Sequence, residues 1–170
     1  MDGTRDTTFG TNGEIFFFNT GQTAFIFQGE VLSDGKMIVF GYNIAPSRQW
    51  FVTKLNADGS FDTSFATGGT FYMLSDSVSS ENDIKIDANG NIYVICHVGP
   101  SVSYRSTAFK LTANGVLDTN FATNGIYTFP DGTRSYSGNA HLIGNELIFW
   151  SYQEGTPFWW KNLIKLNAQT

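Results

Sequence analysis

An eleven-residue phrase recurs along this chain and constrains its fold more tightly than any other feature. It reads Asp58-Gly-Ser-Phe-Asp-Thr-Ser-Phe-Ala-Thr-Gly68, then Asn114-Gly-Val-Leu-Asp-Thr-Asn-Phe-Ala-Thr-Asn124, and a further copy opens the chain at Asp2-Gly-Thr-Arg-Asp-Thr-Thr-Phe-Gly-Thr-Asn12. The anchors Asp6, Asp62 and Asp118 fall 56 residues apart. A fixed period of that size marks a repeat array, in which each unit is one supersecondary element that buries its apolar faces on its neighbours.

Two further anchor sets keep the same beat. Lys54-Leu-Asn-Ala57, Lys110-Leu-Thr-Ala113 and Lys165-Leu-Asn-Ala168 form one, and the hairpin signals Asp34-Gly35, Asn89-Gly90 and Gly144-Asn145 form the other. The chain divides into three units, 2–57, 58–113 and 114–168, in a single array over 1–170.

Each unit reads as four strands. In the first these are Gly13–Phe18, Ala24–Leu32, Lys36–Tyr42 and Gln49–Asn56, with Asp34-Gly35 as the hairpin turn. The hairpin's second strand is apolar on both faces in every unit: Met37-Ile-Val-Phe40, Ile92-Tyr-Val-Ile95 and Leu147-Ile-Phe-Trp150. Such a strand must be covered on both sides. Face-to-face stacking of four-stranded units around an axis meets that demand, so the expected fold is all-β, a β-propeller with three four-stranded blades per chain.

Composition agrees with a compact β body. The chain is 41% hydrophobic and only 15% charged, so it can bury a core and lacks the signature of disorder. A net charge of −5, with the basic residues scattered, excludes the clustered Lys and Arg of a nucleic-acid interface. No 18-residue apolar run predicts membrane insertion, and no basic-then-apolar leader is present in these residues. Cys96 is the single cysteine, which rules out an intrachain disulfide and fits a small buried side chain.

The repeated phrase has a structural explanation. Asp6, Asp62 and Asp118 can accept from backbone N–H groups just ahead and close Asx turns, while Phe9, Phe65 and Phe121 plug the blade edge. Calcium at Asp58 and Asp62 is the alternative. The companion copies pair Asp2 with Asp6 but Asn114 with Asp118, short of the dense oxygen spacing of a dedicated loop. No cofactor or metal site is expected.

Val31-Leu-Ser-Asp-Gly-Lys-Met-Ile-Val-Phe-Gly41, followed by Phe51 through the junction Leu55-Asn-Ala-Asp-Gly-Ser-Phe-Asp-Thr-Ser-Phe65, resembles the delta-60 repeat of bacterial, often secreted, propeller-like proteins. The junction recurs in relaxed form at 111–121, the first copy lacks its Leu-Asn-Ala lead, and the third unit replaces the hairpin Asp-Gly by Gly144-Asn145. The resemblance implies a propeller, an extracellular or cell-envelope setting, and a binding or scaffold role. It brings no catalytic residues.

Propeller strand order makes Ala24–Leu32, Lys36–Tyr42 and Gln49–Asn56 the inner three strands of a blade and Thr70–Leu74 the outer one. Gly13–Phe18 is then an outer strand without inner partners, and the last unit has inner strands without an outer one. Three blades are fewer than the roughly 4–8 that close a ring. Two chains head to tail would give a six-bladed homodimer, each N-terminal strand completing the other chain's last blade; a fragment of a longer propeller is the alternative.

Function belongs to the face on which the units differ. The variable connections are Asn43–Arg48, Val98–Arg105 and Gln153–Trp160, joined by Asn19–Thr23, Ser75–Ser80 and Pro130–Ser137. On them stand the ligand-binding candidates Tyr152, Phe158, Trp159 and Trp160, with Tyr104, Arg105, Arg48 and Arg134 beside Trp50 and Tyr136. Aromatics on such loops can hold a sugar face or a protein partner; packing on the neighbouring blade is their ordinary alternative. The expectation is a non-catalytic module for a glycan or protein. A hydrolase or lyase with an axial site, or a structural segment of a larger surface protein, are the alternatives. His97 and His141 are the only histidines, Glu81 and Asp83 lack counterparts in the other units, and no nucleophile elbow, HExxH or P-loop motif occurs.

Overall fold

The computed structural model describes residues 3–17, 24–44, 49–74, 83–100, 103–130, 134–154 and 160–168. The chain divides into two compact units, Met1–Met73 and Leu74–Thr170. All regular structure among the described residues is β, in three antiparallel sheets.

The first unit holds β1 (Ala24–Val31), β2 (Met37–Asn43), β3 (Gln49–Leu55) and β4 (Thr70–Leu74), hydrogen-bonded in that order. β2 is central, and Ile38 through Asn43 are all buried, which is what its two-sided apolar run requires. Phe27, Phe40, Tyr42 and Trp50 stack from three strands, with the Tyr42 and Trp50 centroids 4.8 Å apart. Each such buried side chain contributes roughly 1.5–3 kcal/mol through the water it excludes. A register shift between Ile26 and Gln28 bulges β1. Hairpin β1–β2 closes as expected around Asp34-Gly35: Leu32 N donates to Lys36 O, and Asp34 Oδ1 accepts from Lys36 N.

The strand expected over Gly13–Phe18 does not form among its described residues. Only Glu14 makes isolated bridges, to Gly10 and Thr11. A strand needs a ladder, and this segment finds no sheet to join; instead Phe17 lies with its ring 6.4 Å from those of Phe51 and Phe61.

In the second unit, β5 (Asp83–Ile86), β6 (Ile92–Val98), β7 (Arg105–Leu111) and β8 (Ile126–Thr128) repeat the order of the first sheet. A further sheet comprises β9 (Ser135–Ile143), β10 (Glu146–Gln153) and β11 (Trp160–Asn167). Three strands stand here among the described residues, in keeping with the expectation that the last unit has inner strands without an outer one. The two sheets share one core, in which Tyr93, Ile95 and Ala108 meet Ala140, Leu147, Phe149 and Ile164. Buried polar groups tie the layers: Asp83 Oδ2 accepts from Ala140 N at 2.7 Å, and the Ser106 and Ser151 hydroxyls lie 2.7 Å apart. Cys96 is buried as expected, and burial pushes its thiol pKa far up, so the group is inert.

The repeated phrase folds alike in each copy. Oδ1 of Asp6, Asp62 and Asp118 accepts from the backbone N–H two residues on, at 2.9, 3.2 and 3.2 Å. The following turn sends Phe65 and Phe121 into the core and leaves Phe9 half-buried. Gly13, Gly69 and Gly125 then take φ of +84°, +94° and +88°, which only glycine adopts without strain.

Candidate functional site

The strands of the second unit end in two chemically different ways. At the turn end, Lys110 is a buried cation at the end of β7. Its Nζ lies 2.9 Å from Asp118 Oδ2, donates to Ala168 O at 3.0 Å and sits 5.5 Å from the Tyr93 ring centre. Burial pushes the Lys110 pKa down, but the bonds to Asp118 and Tyr93 outweigh it and hold the ammonium above its ordinary range. Lys110 in turn holds Asp118 below the usual carboxylate range.

The first unit meets the same need with another lysine. Lys36 Nζ donates to Asp62 Oδ2 at 2.8 Å, and this bond, with the Ser64 hydroxyl's, lowers the Asp62 pKa to about 2. Asp58 Oδ1 accepts from Ser60 N and Oγ. Both carboxylates of the calcium alternative are therefore engaged by donors, one of them a cation. A cleft of about 390 Å³ lies between the two phrase copies of this unit, lined by Thr8, Glu14, Phe16, Asp58 and Ser60 among others.

At the loop end of the second unit, residues entering or leaving four strands converge. Tyr104 precedes β7, Arg134 precedes β9, Tyr136 lies in β9, His97 near the end of β6, and Glu154 follows β10. Backbone bonds align these entries: Ser135 N donates to Tyr104 O, and Glu154 N to Arg134 O. Arg134 Nη2 donates to Tyr104 Oη at 2.8 Å and also to Tyr136 Oη. The guanidinium carbon stands 4.7 Å from the Tyr104 ring centre and 5.6 Å from that of Tyr136. Nε lies 3.4 Å from Glu154 Oε2, an ion pair whose geometry falls short of a hydrogen bond.

His97 forms the floor of this cluster. Its ring stacks on Tyr104 at 4.9 Å and meets Tyr136 edge-on at 5.4 Å, with Nδ1 3.3 Å from Ser137 Oγ. Burial lowers its pKa to about 4, so the imidazole is neutral at physiological pH. The bonds that Arg134 donates to Tyr104 and Tyr136 hold its pKa above the ordinary value, while burial raises that of Tyr136. The result is a cation held by aromatic faces and phenolic hydroxyls, a set that can stack on a flat or ring-shaped ligand and bond its polar edge.

Of the sequence candidates, Tyr104 and Arg134 come together here. Tyr152 lies beside them in β10, paired with Tyr136, and carries Lys161 Nζ 5.6 Å from its ring centre. Arg105 is half-buried at the start of β7, opposite Val98. Trp160 opens β11 as an exposed side chain. Arg48, Phe158 and Trp159 lie outside the described residues, as do Glu81 and the connections 19–23 and 75–80. Asp83, by contrast, is a buried structural acceptor. The roles of His97, Ser137 and Glu154 are not legible in the sequence, since none belongs to a repeated pattern; the aromatic pair Tyr104 and Tyr136 is the signal that leads to them. His141 is exposed in β9, opposite Ile148. The register places it on the opposite face of the sheet from Ala140 and Phe149. Among the described residues, no three His, Cys, Asp or Glu side chains group to hold a metal, and no helix is long and apolar enough to cross a membrane.

Residues 32–65 match a family model described as a domain of unknown function (DUF5122) beta-propeller. The matched stretch runs from the first hairpin turn through β2 and β3 to the phenylalanine of the repeated phrase. Together with the repeated antiparallel sheets, it supports a propeller-type repeat fold. No curated protein matches the chain.

Proposed function

We propose that the chain is a non-catalytic propeller module that binds a glycan or a protein at the loop end of its sheets. One observation carries this reading: connections that differ from unit to unit bring Tyr104, Arg134, Tyr136 and His97 into one aromatic and cationic cluster. The repeated turn end is built instead from internally satisfied Asp, Lys and Phe. Variation gathered at one end of a repeated scaffold is how such folds carry specificity.

The same proposal takes three blades per chain, a six-bladed homodimeric ring and the extracellular or envelope setting that the delta-60 resemblance implies. A glycan array probed with the purified chain, alongside Tyr104→Ala and Arg134→Met variants, tests the binding role. Retention of a glycan class at least tenfold weaker in both variants supports it. Binding that both variants keep, or turnover of a captured glycan, overturns it; a blank array moves the ligand to a protein.

A further inference from the structure

The cation of the loop-end cluster is only partly engaged by the fold. Arg134 Nη2 gives its protons to the hydroxyl oxygens of Tyr104 and Tyr136. Among the described residues, Nη1 meets no acceptor and Nε has no hydrogen-bond partner. Yet the group is held in place: its carbon lies 4.7 Å from the Tyr104 ring centre, and that ring stacks on His97 and meets Tyr136 edge-on, each at 4.9 Å. With 31% of its side chain exposed and a charge that no ordinary pH removes, Arg134 presents oriented donors at the surface. The whole arrangement is made by residues between 97 and 154 of one compact unit.

The chain itself shows what such donors attract. Glu154 N donates to Arg134 O at 2.8 Å, which brings the Glu154 side chain alongside the guanidinium. Its Oε2 nevertheless stops 3.4 Å from Nε, short of a hydrogen bond, and the side chain is 45% exposed. Lys110, by contrast, closes on Asp118 at 2.9 Å with both side chains largely buried. A carboxylate held as loosely as that of Glu154 answers the charge without using its donors, and such an exposed pair is readily exchanged.

We propose that Glu154 stands in for the carboxylate of an acidic glycan, and that a uronic acid residue displaces it to bond Arg134. The ligand's acid group accepts from Nη1 in a charge-assisted bond. Sugar hydroxyls beside it pair with the Tyr104 and Tyr136 oxygens, since a phenol both donates and accepts. An Asp or Glu side chain of a protein partner brings the same carboxylate on a bare methylene stem and leaves those phenols unmatched, which favours the sugar. The inference rests on the loop-end binding reading and narrows its ligand.

The test titrates the 170-residue chain with oligosaccharides of galacturonic, glucuronic and mannuronic acid, each beside its carboxyl-reduced form and a sulfated neutral counterpart, and with tetraglutamate. A uronate should bind at least about tenfold tighter than its reduced form, and Arg134→Met should remove that preference. Glu154→Gln should tighten uronate binding about two- to fivefold and leave the reduced form unchanged. That gain is one a misfolded variant cannot mimic, so it decides if Arg134→Met unfolds. Reduced or sulfated forms bound as well as the acids overturn the inference and leave a glycan-binding module standing. Tetraglutamate bound in preference, or no sugar bound at all, overturns it and passes the site to a protein partner. A uronate preference that survives in folded Arg134→Met overturns both this inference and the placing of the ligand at the loop end.

Discussion

At one end of β7, Lys110 is locked between Asp118, Tyr93 and the Ala168 carbonyl, and Phe121 fills the core beneath it. At the other end, a few residues upstream, Arg134 is gripped by two tyrosine hydroxyls over a buried neutral histidine. Both ends hold a cation against aromatic rings. They differ in what surrounds the cation. The turn end buries it with a carboxylate and a carbonyl, so its donors are spent inside the fold; the Asp turn recurs in every copy of the phrase, and its Phe is buried in the second and third. The loop end keeps its cation partly exposed beside connections of no repeated sequence. Repetition therefore marks the fastening, and departure from repetition marks the candidate site.

The largest expected effect separates the two ends by stability. Phe121→Ala empties a core position and should cost about 3–5 kcal/mol. Arg134→Met, which removes a partly exposed ion pair, should cost about 1 kcal/mol or less. Urea melts of the two variants read the difference, and equal losses would erase the distinction between fastening and site.

A slightly smaller effect sharpens the loop end. The His97 pKa is lowered from 6.5 to about 4 by burial, so between those values the unfolded chain binds more protons than the folded one. Stability should then fall as pH drops from 6.5 toward 4, by roughly 3 kcal/mol in total. A His97→Phe variant should flatten that part of the pH profile, and an unchanged profile would mean that another group carries it.

The smallest prediction concerns the turn end. Ala66 and Ala122 both sit at φ +46°, in the left-handed region, where the first copy has Gly10 at +58°. That conformation costs a residue with a Cβ about 1–2 kcal/mol, partly offset by glycine's greater entropy loss. Ala122→Gly should gain about 0.5–1 kcal/mol and raise the melting temperature by a few degrees. A lower melting temperature would show that the Ala122 methyl contributes more than the strain it costs.

Much of the fold was legible because its determinants are local and repeated. The alternation of apolar residues, the Asp34-Gly35 turn and the Asp-x-Ser or Asp-x-Thr turns set β1 to β3 within a residue or two of their expected limits. Gly13–Phe18 misled because its pattern is that of a strand, while strand formation depends on a partner that no local pattern can supply. Half of the candidate site was legible as well: Tyr104 and Arg134 stood out as large side chains on variable connections. Their meeting was not, because it depends on the register of β6, β7, β9 and β10, which brings residues 30 to 40 positions apart within bonding distance.

The sequence by itself determined the period, the all-β character, the turn geometry and the need of the central strands for cover on both faces. These follow from side-chain spacing and backbone preference, which act over a few residues at a time. Only the tertiary structure decided which lysine meets each repeated aspartate, Lys36 for Asp62 but Lys110 for Asp118. It alone made His97 the floor of an aromatic cluster. The physical reason is the same in each case: burial and pairing depend on what another strand places opposite, and a single strand does not encode its own neighbour.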